Sequence, residues 1–232
     1  MLVPFAHMAV AFVLPAASPR SSAATARHGF VIAREVNFVA NLEVVTQPFV
    51  ISDGASIGSW FANDESLKIL MSQAESSRRV GGSSGEAQQQ WLVSTPIAFP
   101  GMVARSDTSM DVSIDVAAPR LSVASSESKT VCEGGPSWAQ GLLSRVNDFA
   151  ATKSSNIVEL RDAPGGAAGE KVCVSTVNLV VTLRIPGLLL PPFVPAGPFE
   201  KAGSESIQKL LDKDMAPVLA RFREGYLRSV VV

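Results

Sequence analysis

The chain has 232 residues, of which 47% are hydrophobic and 18% are charged. This length suits a single domain, and the large apolar fraction excludes a wholly disordered chain. The 20 Lys and Arg residues against 21 Asp and Glu residues leave a net charge of −1. This balance argues against a nucleic-acid-binding protein, because such proteins normally carry a basic excess.

The N-terminal segment has the composition of a targeting sequence. Three arginines and no acidic residue precede Glu35, in a stretch rich in alanine and serine, which is typical of organelle transit peptides. The Ala11-Phe12 junction, inside a short apolar run, resembles the alanine–phenylalanine junction of plastid presequences in algae with secondary plastids. We therefore expect residues 1–34 to be a targeting segment, disordered or cleaved, and residues 35–232 to form one domain. A disordered tail with no targeting role is the alternative.

The first part of the domain predicts a strand, two short helices and a series of further strands. Phe30–Val50 is rich in β-branched residues, which favour strand. Over Ser56–Ser72, apolar residues recur at helical steps, and Asn63-Asp64 divides the segment into two helices, with Asp64 able to cap the second. Met110–Ala117 alternates strictly, which predicts a strand that buries Met110, Val112, Ile114 and Val116. The other predicted strands are Trp91–Val93, Leu121–Val131, Ile157–Arg161 and Val172–Ile185.

The C-terminal part predicts a proline-rich connector and a long helix. Ile185–Phe199 contains five prolines, so we expect an apolar loop, either a lid or a packed connector. A helix is predicted over Ser204–Arg228, starting at Gly203-Ser204, because eight apolar residues form one stripe. The stripe consists of Ile207, Leu210, Leu211, Met215, Val218, Leu219, Phe222 and Tyr226. A shorter helix is expected within Pro136–Phe149.

The distribution of histidine excludes several kinds of catalytic site. Both histidines, His7 and His28, lie in the segment expected to be removed, so the mature domain lacks the side chain most often used for acid–base chemistry near neutral pH. Serine–histidine triads and histidine metal sites are excluded with it, and we predict no catalytic residue, metal or cofactor. Cys132 and Cys173 are interpreted as buried apolar side chains, with a redox pair as the alternative.

Three motifs resemble chemical sites and are interpreted as structural. Gly81–Gly85 has the spacing of a nucleophile elbow, but no histidine accompanies it and a strand follows. Gly165–Lys171 resembles a phosphate loop, but Glu170 interrupts the required Gly-Lys pair. Both glycine-rich segments are expected to be hairpin tips. Asp111 and Asp115 could act as acid and base, yet they share the polar face of a strand, where carboxylates usually serve solubility.

The predicted order of elements resembles the helix-grip fold of START, Bet v 1 and polyketide cyclase-like (SRPBCC-type) domains. The sequence is similar to one branch of these, domains of unknown function in cyanobacterial and plastid proteins. The matching blocks are Val181–Pro186 with the proline-rich loop, then Gly203–Gln208, and a second block at Cys132–Gly134. The resemblance covers Asn37 to Ser229. It implies an α+β fold in which a curved antiparallel sheet of six or seven strands wraps around the C-terminal helix.

This resemblance also implies a function, because helix-grip domains usually enclose a cavity. Together with the N-terminal segment, which leads us to expect a plastid protein, stromal or peripheral to the thylakoid, it predicts binding of a hydrophobic molecule such as a lipid, carotenoid or tetrapyrrole. The alternative is a non-catalytic accessory or assembly factor for a photosynthetic membrane complex. A cyclase-like enzyme is the third hypothesis, and the lack of histidine weakens it.

Five aromatic residues are candidates for lining the pocket if the ligand hypothesis holds. Phe222 and Tyr226 are four residues apart and thus neighbours on one helix face. Tyr226, the only tyrosine, could present its hydroxyl to a polar group of the ligand. The alternative is that all five aromatic side chains fill the core. The five candidates are Trp60, Phe61, Trp91, Phe222 and Tyr226.

Overall fold

The computed structural model describes residues 33–99, 102–132, 150–186 and 195–230. The elements follow the predicted order of strand, short helices, strands and long helix. They are β1 (Ala33–Val45), β2 (Phe49–Val50), α1 (Gly54–Phe61), α2 (Asp64–Leu70), β3 (Ser76–Gly81), β4 (Gln88–Phe99), β5 (Met102–Asp115), β6 (Arg120–Cys132), β7 (Ala150–Asp162), β8 (Glu170–Pro186) and α3 (Gly197–Val230).

The described strands form one curved antiparallel sheet in the order β1-β8-β7-β6-β5-β4-β3. The two-residue β2 pairs with β8 beyond the end of β1. Both glycine-rich segments are turns, as predicted, and each places two glycines at positive φ, a conformation that residues with a Cβ rarely adopt. Seven strands in one path, wrapped over a long C-terminal helix, confirm the predicted α+β helix-grip fold.

The core is divided into two apolar clusters along α3. The C-terminal half of α3 packs with α1, α2 and the inner face of β4 to β6, and this cluster includes all five candidate aromatic residues. The N-terminal half of α3 packs on β1 and β8, through residues such as Ile207, Leu211 and Met215. The predicted stripe of α3 therefore faces the core, with its N-terminal half on β1 and β8 and its C-terminal half on α1, α2 and the sheet.

The free edge of β1 is covered by polar side chains of α3. The backbone amides of three alternate residues of β1 point away from β8 and donate to α3 side chains one helical turn apart, at 3.0, 3.0 and 3.2 Å. Two residues of strand and four residues of helix both advance about 6 to 7 Å, so the two series stay in step. The pairs are Asn37 with Glu200, Val39 with Ser204, and Asn41 with Gln208. We call Glu200, Ser204 and Gln208 the edge clamp.

Two predicted helix boundaries are wrong. The long helix α3 begins at Gly197 instead of Ser204, because Pro198 lies in its first turn, where a missing amide hydrogen costs no helical bond. The cap of α2 is Asn63 instead of Asp64, since the Asn63 side chain accepts the Glu65 amide hydrogen at 2.8 Å. The division into two short helices is confirmed.

The predicted strands also need correction at two places. Val116 is 41% exposed instead of buried, because β5 ends at Asp115, whose carboxylate accepts the amides of Ala117 and Ala118 to form a turn. The apolar pattern did not predict β3, which is short, polar and at the edge of the sheet. The helix expected within Pro136–Phe149 and residues 187–194 of the predicted loop lie outside the described residues.

Candidate functional site

The five aromatic candidates are brought together, and each is at most 3% exposed. The Phe222 ring lies 5.9 Å from the Trp60 ring and 5.2 Å from the Phe61 ring, the latter in an edge-on arrangement. The Trp91 indole donates to the Gln89 side chain at 3.0 Å. The Trp60 indole nitrogen is buried and has no hydrogen-bond partner among the described residues. The ring contacts themselves are those of a packed core, which fits the alternative stated for these residues.

The Tyr226 hydroxyl is engaged within the protein. It accepts the Ser52 amide hydrogen at 3.2 Å and lies 3.1 Å from the Ser56 hydroxyl, so it ties the end of α3 to the start of α1. A hydroxyl with these partners has less capacity left for a ligand. That the five aromatic side chains line a pocket stays a prediction.

A group of hydroxyl side chains lies on the inner face of β4, β5 and β6, next to the aromatic cluster. Thr95 is paired with Ser106 across β4 and β5, and Thr108 is the next inward residue of β5. Ser128 lies opposite Thr108 on β6, and its hydroxyl is 3.1 Å from those of both Ser106 and Thr108. We call Thr95, Ser106, Thr108 and Ser128 the hydroxyl belt.

One member of the hydroxyl belt has an unused hydrogen-bonding group. Thr95 is 4% exposed, and its hydroxyl has no hydrogen-bond partner among the described residues. Leaving a buried polar group unpaired costs about 1–3 kcal/mol. Its neighbours Ser106 and Thr108 are equally buried but are bonded to Ser128. Thr95 is therefore the position in the belt where an additional polar atom would be stabilising.

A second set of buried polar side chains lies on the inner face of β7 and β8. Ser154 is 6% exposed, and its hydroxyl also lacks a partner within the described part of the chain. Asn156 is the next inward residue of β7, and its side-chain oxygen accepts the Ser175 hydroxyl at 2.7 Å. The inner face thus carries unpaired hydroxyls on both sides of β6.

The sheet opens between β6 and β7 near these residues. Among the described residues, pairing of the two strands stops at Ala124 and Ser155. The Ser125 hydroxyl accepts the Ser154 amide hydrogen at 2.9 Å where the ladder ends. Beyond that point, Ser126–Lys129 of β6 is exposed, including the belt residue Ser128. The belt is consequently reached from solvent along β6 and is buried at Thr95.

The inner face of the sheet is uncharged at the belt. Only apolar, hydroxyl and amide side chains point inward from Gln89 to Thr95 on β4 and from Ser106 to Ile114 on β5. The inward residues of β7 from Thr152 to Leu160 and of β8 from Cys173 to Leu183 are likewise uncharged. Asp111 and Asp115 point outward and are exposed, so they take no part in this site.

The two cysteines do not form a redox pair. Cys173 is 1% exposed, and burial raises the pKa of its thiol from 9.0 to about 12, against the opposing effect of the Arg223 charge. Leu121 lies two ladder steps from Ser175, two residues from Cys173 on β8, whereas Cys132 is eleven residues further along β6, on the order of 30 Å at strand spacing. A disulfide needs Cα atoms within about 7 Å, so the alternative of an intramolecular redox pair is wrong.

Metal clusters and membrane-spanning helices are both absent from the described residues. No group of three or more His, Cys, Asp or Glu residues there is placed to hold a metal ion. None of the described helices has the length and apolar character needed to cross a membrane.

Comparison with known proteins gives matches among solved structures. No protein-family model matches the chain, and no curated protein sequence matches it significantly. The Zhui aromatase/cyclase from a Streptomyces species is 12% identical at a TM-score of 0.47, over 84% of this chain and 96% of that one. A protein from Thermus thermophilus is 14% identical at a TM-score of 0.44, over 82% and 98%. Truncated norcoclaurine synthase from Thalictrum flavum is 19% identical at 0.35, over 76% and 94%. The strand order, the paired short helices and α3 of this chain are themselves those of the helix-grip fold.

Proposed function

We propose that this chain binds a hydrophobic small molecule between the inner face of its sheet and α3. The supporting observation is that the hydroxyls of Thr95 and Ser154 are buried and unpaired on the inner face of the sheet, which is uncharged there. Each unpaired hydroxyl costs about 1–3 kcal/mol, which a polar atom placed beside it would offset. A molecule with an apolar body and a polar atom pairs the hydroxyl and remains out of water.

The same side chains favour binding over catalysis. The inward positions of β4, β5, β7 and β8 described above hold no histidine, carboxylate or lysine. Hydroxyl and amide groups orient a ligand, but they do not exchange protons readily near neutral pH. We therefore propose a carrier for a molecule of the lipid, carotenoid or tetrapyrrole class. The cyclase-like enzyme is the less favoured hypothesis.

Native mass spectrometry of the full chain, purified gently from its source, tests the ligand proposal. We expect a mass excess of a few hundred daltons that disappears on denaturation. A Thr95→Val/Ser154→Ala variant should lose this excess while its melting temperature stays at or above that of the wild type. Ser155→Ala is the matched control, because Ser155 is the outward neighbour of Ser154. A retained protein with no small molecule would favour the assembly-factor alternative and contradict the carrier.

We also propose a plastid location, on the basis of the acid-free segment before Glu35. N-terminal sequencing of the protein from its source should find a first residue between Phe12 and Glu35. A cytosolic protein that retains Met1 would contradict this location and leave the ligand proposal unaffected.

A further inference from the structure

We infer that the bound molecule is uncharged and that its hydroxyl or carbonyl oxygen pairs with Thr95 at the buried end of the hydroxyl belt. This inference rests on the proposed function and specifies the chemical class of its ligand. It follows from which groups the belt offers and from which groups the inner face lacks.

The belt offers groups that match a neutral oxygen. A hydroxyl can donate one hydrogen bond and accept two. Ser106 and Thr108 both use Ser128 as their partner, at 3.1 Å each. Thr95 lies opposite Ser106 in the β4–β5 ladder, and both its donor and its acceptor capacity are unused among the described residues. A ligand hydroxyl can fill both, and a carbonyl oxygen can accept from the Thr95 hydroxyl.

The inner face of the sheet offers little to a charged group. A carboxylate or phosphate beside Thr95 would be taken out of water with no opposite charge on the inward positions of β4 or β5, which is costly. Arg105 is opposite Pro96, beside Thr95, but it lies at an outward position of β5 and is paired with Asp107 at 3.2 Å. The nearest basic side chain at an inward position of the ladder is Arg79 on β3, opposite Trp91. Arg79 is already bound to Asp64 at 2.6 Å and lies over the Trp91 ring at 5.9 Å, so its charge is balanced within the protein.

Three retinoids with one hydrocarbon body test this inference. Retinol ends in a hydroxyl, methyl retinoate in a neutral ester carbonyl, and retinoate in a carboxylate that is ionised at pH 8. Quenching of tryptophan fluorescence in the full chain reports the dissociation constant of each. We expect retinol and methyl retinoate to bind with similar affinity and retinoate to bind about tenfold more weakly or worse, because its charge is buried unpaired.

Variants at Thr95 test the position of the polar atom. Thr95→Val keeps the shape of the side chain and removes its hydroxyl, so the affinity for retinol should fall about fivefold, the value of one net hydrogen bond. Thr95→Ser keeps the hydroxyl and should bind within about twofold of the wild type. Ser155→Ala, on the outer face, should leave all three affinities unchanged.

The outcomes separate this inference from the proposed function. Retinoate binding as tightly as methyl retinoate would overturn the uncharged ligand and leave the carrier function standing. An unchanged affinity of Thr95→Val for retinol would overturn the role of Thr95. If none of the three retinoids binds and native mass spectrometry finds no retained molecule, the proposed function itself fails.

Discussion

Replacing Phe222 by alanine separates stability from binding, because Phe222 belongs to the aromatic cluster and not to the hydroxyl belt. The side chain is fully buried and makes ring contacts with both Trp60 and Phe61. Removing a buried phenylalanine costs about 3–5 kcal/mol. Each aromatic contact is worth about 0.5–1.5 kcal/mol beyond the buried area, so we expect the upper part of that range.

This loss should be visible as a change in melting temperature. For a domain of this size, 1 kcal/mol corresponds to about 2–4 °C, so Phe222→Ala should melt roughly 10 °C or more below the wild type. The affinity of the folded variant for retinol, measured well below its melting temperature, should stay within about twofold. Thr95→Val should show the opposite pattern, with weaker binding and no loss of stability. A Phe222→Ala protein that keeps its melting temperature but no longer binds retinol would refute this assignment and restore the aromatic residues as the pocket.

Three further predictions concern packing, burial and the sheet edge. In Gly203→Ala, the new Cβ would lie 2.5 Å from the buried Phe38 ring, so chemical unfolding should show a free energy of unfolding lower by about 1–2 kcal/mol. Gly197→Ala is the control and should keep the wild-type stability, because there is open space at its Cβ. Burial raises the pKa of the Cys173 thiol from 9.0 to about 12, so between these pH values the unfolded chain loses the thiol proton more readily than the folded one. The free energy of unfolding of the wild type, relative to that of Cys173→Ala, should therefore fall as the pH rises from 9 to 12. A relative stability that increases over this range would contradict the burial. Alanine at all three edge-clamp positions should cost about 1–2 kcal/mol of stability, since water replaces part of each exposed hydrogen bond. The variant should also self-associate in sedimentation velocity, because the edge of β1 is then uncovered. The control is alanine one residue later along α3 in each case, at exposed positions, and a stable monomeric clamp variant would refute the edge role.

The sequence predicted the elements that depend on apolar periodicity and missed those that depend on polar contacts. The stripe of α3 and the alternation of β5 and β8 survive in the structure because burial of apolar side chains selects those positions. Strand β3 has no such signal, since it lies at the sheet edge and only one of its neighbours is a strand. Its Arg79 is held by Asp64, a contact between residues fifteen apart that no local pattern reports.

The hydroxyl belt could have been found in part from the sequence. Ser106 and Thr108 share the parity of Met110, Val112 and Ile114, so the inward face of β5 extends four residues further towards the N-terminus than the apolar alternation indicates. Because those two inward residues are polar, the apolar pattern begins only at Met110. Ser128 is placed beside the hydroxyls of Ser106 and Thr108 by a register shift near Ser109. A strict two-residue alternation in the sequence does not predict such a shift.

The early start of α3 connects the fold to the site. The apolar stripe begins at Ile207, and the sequence placed the start of the helix just before it, at Gly203-Ser204. The helix instead begins at Gly197, and the added turns bring the Glu200 carboxylate to the amide of Asn37 on β1. Without those turns, β1 would present an unpaired edge beside the cluster that anchors α3 to the sheet. The hydroxyl belt lies on the far side of β8 from this edge, so the contacts that fix α3 along β1 use none of the belt residues proposed to bind a ligand.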